Sequence, residues 1–243
     1  MTETAETLRV LYLDEHYVAI NKPSGLLVHR QRGVAGEAAA LQQVRDHVGQ
    51  HVYPVHRLDR STSGVLVFGM TSDAASRLAP AFANRLVDKR YVAVVRGTPS
   101  ERGVVDYVLR DESDGVRRDA VTEFARLAVT EIDEPVPPHP TARYSLVALR
   151  PRTGRTHQLR RHMAHLRHPI VGDVCHGDGR HNRVFRRRFN SHRLLLWATM
   201  LRFQHPYTDV EVALQAPPLD PETLHALGFP THPATDVLGP PFS

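Results

Sequence analysis

The residues whose types could do chemistry gather in one short run, His56-Arg57-Leu58-Asp59-Arg60-Ser61-Thr62-Ser63-Gly64. Its carboxylate, Asp59, lies between the guanidinium groups of Arg57 and Arg60, in a field of opposite charge. Three small hydroxyl residues and a glycine allow a tight loop with backbone amides available to a ligand. A carboxylate held in such a loop can attack a sugar carbon, stabilise positive charge developing there, or take a proton. The same composition also suits a salt-bridged surface turn, because ion-pair networks need no function. Tyr91 is the second candidate. Its neighbours are apolar, so the ring is either core or a stacking platform, with a hydroxyl able to move a proton.

Charge distribution suggests the partner. The 243-residue chain carries 31 Lys plus Arg against 26 Asp plus Glu, a modest excess. Between Arg150 and Arg202, however, stand thirteen Arg and no Lys, with Asp173 and Asp178 as the only acids. Seven of the 16 histidines fall in the same window. A basic block of this kind attracts polyanions, since neutralising phosphates releases condensed counterions. The alternative is a solvated cationic face. Lys22 and Lys89 are the only lysines, a bias that explains why the cations are arginines but not why acids are missing from this window.

A metal site is not expected. His162, His165 and His168 recur every three residues, with Cys175 and His176 beyond them. On a helix, residues i and i+3 share a face while i+6 drifts off it, Pro169 ends the helix, and no HExxH or CxxC motif is present.

The elements that must position these groups follow from periodicity. Strands are expected at 8–13 and 17–21, then a turn at Pro23-Ser24-Gly25 and extended chain over 26–29. Ala38, Leu41, Val44 and Val48 recur at helical spacing within 37–49. Val65 to Phe68 reads as a fully buried strand, Ser72 as the N-cap of a helix reaching about Leu86, and Tyr91 to Val95 as another buried strand. Alternation predicts strands over 104–109, 121–129 and 144–149, with the proline-rich Glu134–Pro140 segment an exposed loop. A helix is expected over 156–166 and strands over 194–203 and 210–214. Many strands with few helices and no regular βαβ alternation imply an α+β body on a long mixed or mostly antiparallel sheet. Residues 1–216 are expected to form one catalytic domain and the proline-rich 217–243 a peripheral tail.

Composition excludes other classes. Hydrophobic residues make up 41% and charged residues 23%, ordinary for a globular protein rather than a disordered or collagenous one. The single cysteine, Cys175, makes no internal bridge and points to a reducing compartment. The N-terminus is polar and acidic, and no stretch approaches the ~20 apolar residues of a membrane span, so a cytoplasmic protein is expected.

In its order of motifs the chain resembles the RluA family of RNA pseudouridine synthases. Ala19-Ile20-Asn21-Lys22-Pro23-Ser24-Gly25 is similar to that family's N-terminal AINKPSG segment, and HRLDRSTSG to its signature loop. Lys89-Arg90-Tyr91-Val92-Ala93-Val94-Val95 is similar to its KxYxAxV motif, Gly154 to Arg160 to GRTHQLR, and His168 to Asp173 to HPIxGD. The matches run from about residue 10 to residue 215. The stretches 46–58 and 162–183 are closer still to a branch that modifies a uridine in the T stem of tRNA, and no S4-like domain is expected before the core.

The resemblance implies a pseudouridine synthase fold with an RNA-binding cleft, and conversion of uridine to pseudouridine without metal or cofactor by a monomer acting on RNA. Asp59 is then catalytic, whether it attacks C1′, attacks C6 or deprotonates the sugar. The target base must be flipped out of its stack. Arg57 would enter the space the base leaves, Tyr91 would face the uracil, and Arg160 would pair with Asp59 through a charge-assisted fork. Leu196 would pack on the flipped base. His56, Arg60, Thr62, Arg155 and His157 complete the expected RNA contacts. One departure stands out: in Arg193-Leu194-Leu195-Leu196-Trp197-Ala198, Trp197 replaces the histidine common in the family's RLxLHA. Two other readings remain open, the same chemistry on ribosomal RNA and a protein that binds RNA without modifying it.

Overall fold

The computed structural model describes residues 8–29, 39–217, 220–233 and 238. Along the chain run β1 (Arg9–Leu13), β2 (Tyr17–Lys22), α1 (Ala40–Val48), β3 (Tyr53–Pro54), β4 (Ser63–Gly69), α2 (Ser72–Ala83), β5 (Asp88–Arg96), β6 (Arg102–Asp106) and β7 (Leu109–Arg110). There follow β8 (Arg117–Arg118), β9 (Val121–Ile132), β10 (Ala142–Pro151), α3 (Gln158–His165), α4 (Gly179–Phe189), β11 (Leu196–Gln204), β12 (Glu211–Gln215) and α5 (Pro221–Ala226). Strands dominate and helices are few, the α+β class expected. None of the described helices is long and apolar enough to cross a membrane.

The chain divides into two compact units, residues 1–88 with 198–216, and residues 89–197 with 217–243. In the first unit, β2 lies between β1 and β4 in antiparallel register, from Tyr17↔Gly69 to Lys22↔Gly64. β3 adds to β4, and β12 pairs antiparallel with β11. The runs YVAI and VLVF are continuous apolar stretches because both faces are covered. Tyr17, Ala19, Val65 and Val67 pack against Ala74 and Leu78 of α2. The N-cap of α2 is Thr71 rather than Ser72: the Thr71 hydroxyl accepts from the Ala74 amide at 3.0 Å. At Gly64, φ is +111°, and an added Cβ would stand 2.1 Å from the Ala198 carbonyl oxygen, so only glycine lets β4 lie this close to β11.

In the second unit, β10 lies between β5 and β9, antiparallel to both, and β6 pairs with β9. One face, with Val92, Val94, Tyr144 and Leu146, receives Val184 and Phe185 of α4. The other, with Ala93, Val95, Val147 and Leu149, receives Leu159 and Met163 of α3. Two expectations change here. The segment from Pro217 is not merely peripheral: Leu224, Leu227 and Phe229 are buried in the α4-side core, each contributing about 1.5–3 kcal/mol. Val136 in the proline-rich loop is likewise buried in that core. Trp197 is a core residue too, 1% exposed among Val92, Val94 and Tyr144, so its replacement of histidine is a packing feature.

Candidate active site

In the first unit, the loop after β3 alternates as an extended segment should, with Arg57 exposed, Leu58 buried and Asp59 half-buried. It then closes tightly. The Thr62 amide donates to the Asp59 carbonyl at 3.1 Å, and Thr62 itself is buried. The Pro23-Ser24-Gly25 turn laces this loop from the side. The Gly25 amide donates to the Arg60 carbonyl at 2.8 Å, Arg60 Nε returns a bond to the Gly25 carbonyl at 2.9 Å, and Ser24 Oγ donates to the Ser61 carbonyl at 2.8 Å. Gly25 carries φ +87°, which suits glycine. Arg60 is thereby tied to local structure. His56 is similarly engaged: its Nε2 accepts from the Val67 amide at 3.1 Å, and its ring stacks on Phe82.

Lys22, which motif reading left without a role, braces this loop. Its side chain is fully buried, and Nζ donates to the carbonyls of Pro23 (2.8 Å), Leu26 (2.9 Å) and Arg60 (3.1 Å). The last bond reaches the residue next to Asp59. Burial brings the Lys22 pKa down to about 7, while the Asp59 carboxylate pulls it back upward. The sequence signals were its place in the Ala19–Gly25 motif and its being one of two lysines in an arginine-rich chain. The linked stability has a definite sign. Below about pH 7 the fold holds a buried ammonium, whereas from there toward the free-lysine value near ~10.4 the folded state sheds a proton that the unfolded chain keeps. Stability contributed at this position therefore rises with pH over that interval. Lys22→Met is expected to flatten that rise in denaturant midpoints measured at pH 7 and pH 9. By loosening the loop it should also lower kcat about tenfold at unchanged KM for RNA.

In the second unit, Tyr91 lies on β5 opposite Leu149 of β10, half-buried against the apolar cluster that contains Leu159, Met163 and Leu196. The fold thus places Tyr91 and Leu196 at one cluster. Arg160 is nearly buried on α3 and makes a two-pronged pair with Asp173, Nε to Oδ2 at 2.7 Å and Nη2 to Oδ1 at 2.8 Å. Asp173 Oδ1 also accepts from the Cys175 and His176 amides, each at 2.9 Å. Burial alone would raise the Asp173 carboxyl; Arg160 and the two amides outweigh it and hold the group below its ordinary value. Arg155 donates Nε to the Asp119 carbonyl at 3.1 Å.

His157 begins α3 in the left-handed region, φ +53°. Its Nδ1 lies 3.2 Å from His176 Nε2 and 3.7 Å from Glu112. Burial pushes His176 down toward the neutral form. These three side chains present donor atoms within 4.8 Å of one another and are the described group able to hold a divalent ion. The histidines spaced at three serve other ends. His162 lies against Thr122 Oγ1 and the Tyr107 carbonyl, His165 stacks on Tyr107, and His168 bonds to the Arg96 carbonyl.

Comparisons with known proteins identify the family. A family model described as RNA pseudouridylate synthase matches residues 16–165, which include the Lys22 cradle, the Asp59 loop, Tyr91 and Arg160. The chain is 50% identical over 220 residues to tRNA pseudouridine synthase C of Vibrio parahaemolyticus, covering 86% of this chain and 89% of that one. It is 48% identical to tRNA pseudouridine synthase C of Yersinia pestis over 220 residues, covering 86% of each. Among solved structures it is similar to human RNA pseudouridylate synthase domain containing 4, at 26% identity and a TM-score of 0.69, covering 90% of this chain and 93% of that one. A laced carboxylate loop, a tyrosine on a buried strand and a matched family model over more than half the length lead to one assignment: the chain belongs to the RNA pseudouridylate synthase family.

Proposed function

We propose that this enzyme converts a uridine of tRNA, in the T stem, to pseudouridine, with Asp59 as the catalytic carboxylate. The observation that carries the reading is the Asp59 loop, in which main-chain and Lys22 bonds hold a half-buried carboxylate at a fixed place. The reaction breaks the C1′–N1 bond, turns the uracil and joins C1′ to C5. The C5 hydrogen leaves to solvent and N1 takes one up, so no electrons are exchanged. Asp59 engages the sugar or the base while the nucleotide is flipped from its stack. Arg57, exposed two residues before it, fills the space left in the RNA. Tyr91 and Leu196 present a phenol and an apolar surface to the uracil. Arg160, held by Asp173, supplies a fixed positive charge to the same reaction. The enzyme works as a monomer in the cytoplasm, where its substrate is made.

Half identity to proteins named tRNA pseudouridine synthase C favours tRNA over ribosomal RNA. Release of tritium from C5-labelled uridine tests this with unmodified tRNA and ribosomal RNA transcripts side by side, followed by mapping of the product. Release from tRNA at one T-stem position is expected. Release from ribosomal RNA alone would move the substrate, and tight tRNA binding without release from either would favour a non-catalytic RNA binder.

A further inference from the structure

The arginine-rich window reads in sequence as one block, but in the fold most of its arginines already have a partner within the protein. Arg150 and Arg152 converge on Glu123, Arg160 on Asp173, Arg180 on Asp178, Arg187 and Arg188 on Glu134, Arg193 on Asp220 and Arg202 on Glu211. Arg155 and Arg161 donate to the carbonyls of Asp119 and Arg110. Among the described residues, that leaves Arg167, Arg183 and Arg186 of the window without a carboxylate or carbonyl partner.

Two of these three stand on α4. The helix buries Asn182, Val184 and Phe185, so Arg183 points to the opposite side, and Arg186 follows about 4.5 Å further along the axis on that outer surface. The helix is firmly mounted. Asp178 caps it by accepting from the Arg180 amide at 2.9 Å, and Asn182 accepts from the Gly172 amide while donating to the Asp173 carbonyl, both at 2.8 Å. Arg96 joins the Asp178 carboxylate at 2.6 Å to the Arg167 carbonyl at 2.9 Å, which brings the Arg167 backbone to the start of α4.

We propose that the Arg183–Arg186 face of α4 holds the phosphodiester backbone of the substrate tRNA. The proposal rests on the reading that RNA is the substrate and names the side chains that grip it. A guanidinium forks onto phosphate with two bonds, and one that faces no carboxylate among the described residues gives up no such ion pair when the phosphate arrives. Arg187 and Arg188, on the same helix, would first have to leave Glu134. The two pairs therefore carry equal charge but unequal readiness for RNA.

The test compares Arg183→Gln/Arg186→Gln with Arg187→Gln/Arg188→Gln, measuring tRNA affinity across salt concentrations and single-turnover conversion at saturating tRNA. Removing one phosphate-binding guanidinium should reduce the slope of log affinity against log salt by about 0.7–0.9, or roughly 1.5 for the first pair. The second pair should change it by less than half as much. Conversion at saturation should be unchanged for Arg187→Gln/Arg188→Gln. An unchanged slope in the first pair, or equal reductions in the two pairs, would overturn the assignment. Wild type that binds with a steep slope yet makes no pseudouridine would defeat the catalytic reading and leave the phosphate face standing.

Discussion

Asp59→Asn is expected to bind tRNA with wild-type affinity and to lose at least about 10³-fold in single-turnover pseudouridine formation. The substitution keeps the side chain's size and removes the charge that must engage the sugar or base. The loop should keep its course, because the bonds that shape it use main-chain atoms of residues 59–62 with Ser24 and Lys22. Loss of the carboxylate also removes the charge that pulls the Lys22 pKa upward, so Lys22 should titrate lower in the variant. Tritium release, with an unfolding curve on the same preparation, separates loss of chemistry from loss of fold. A folded Asp59→Asn protein that retained full activity would break the mechanism at its centre.

How far the sequence could reach depended on the range of the forces involved. The strands YVAI and VLVF were legible because burial on both faces writes itself as a continuous apolar run. The Asp59 loop was legible as a motif. Its lacing was not, since Ser24 and Ser61 are 37 residues apart and meet only when β2 and β4 pair. The cap of α2 was misplaced by one residue, as adjacent Thr71 and Ser72 can each cap and only the backbone angles decide. Helix α4 escaped notice because Val184, Phe185 and Phe189 are its only large apolar residues among five arginines. The C-terminal core residues Leu224, Leu227 and Phe229 were masked by surrounding prolines. Charge was the least legible quantity. Glu123, Glu134, Asp220 and Glu211 lie outside the basic window, so sequence proximity could not reveal which arginines they neutralise.

Asp173→Ala is expected to cost about 3–5 kcal/mol of stability, the penalty for leaving one member of a buried ion pair without the other. The two side chains are 5% and 1% exposed, so water cannot replace the missing partner. Three consequences would combine: a guanidinium held in low dielectric without the Asp173 charge, and the Cys175 and His176 amides each without its carboxylate acceptor. The sign of the pH dependence follows from the depressed carboxyl. Its stabilisation is complete above the unfolded aspartate value near ~3.9 and is lost as pH falls through the lower folded value, so Asp173→Ala should blunt the acid limb of the wild-type stability profile. Asp173→Asn separates the two duties of this residue, since it keeps an acceptor oxygen for the amides but no charge for Arg160. If Arg160 acts in the reaction as proposed, Asp173→Asn should lower kcat with little change in KM for tRNA, while its denaturant midpoint falls less than that of Asp173→Ala. If both variants unfold within about 0.5 kcal/mol of wild type, the pair does not hold the fold. If Asp173→Asn is destabilised yet turns over at the wild-type rate, Arg160 is structural and its place in the reaction is lost.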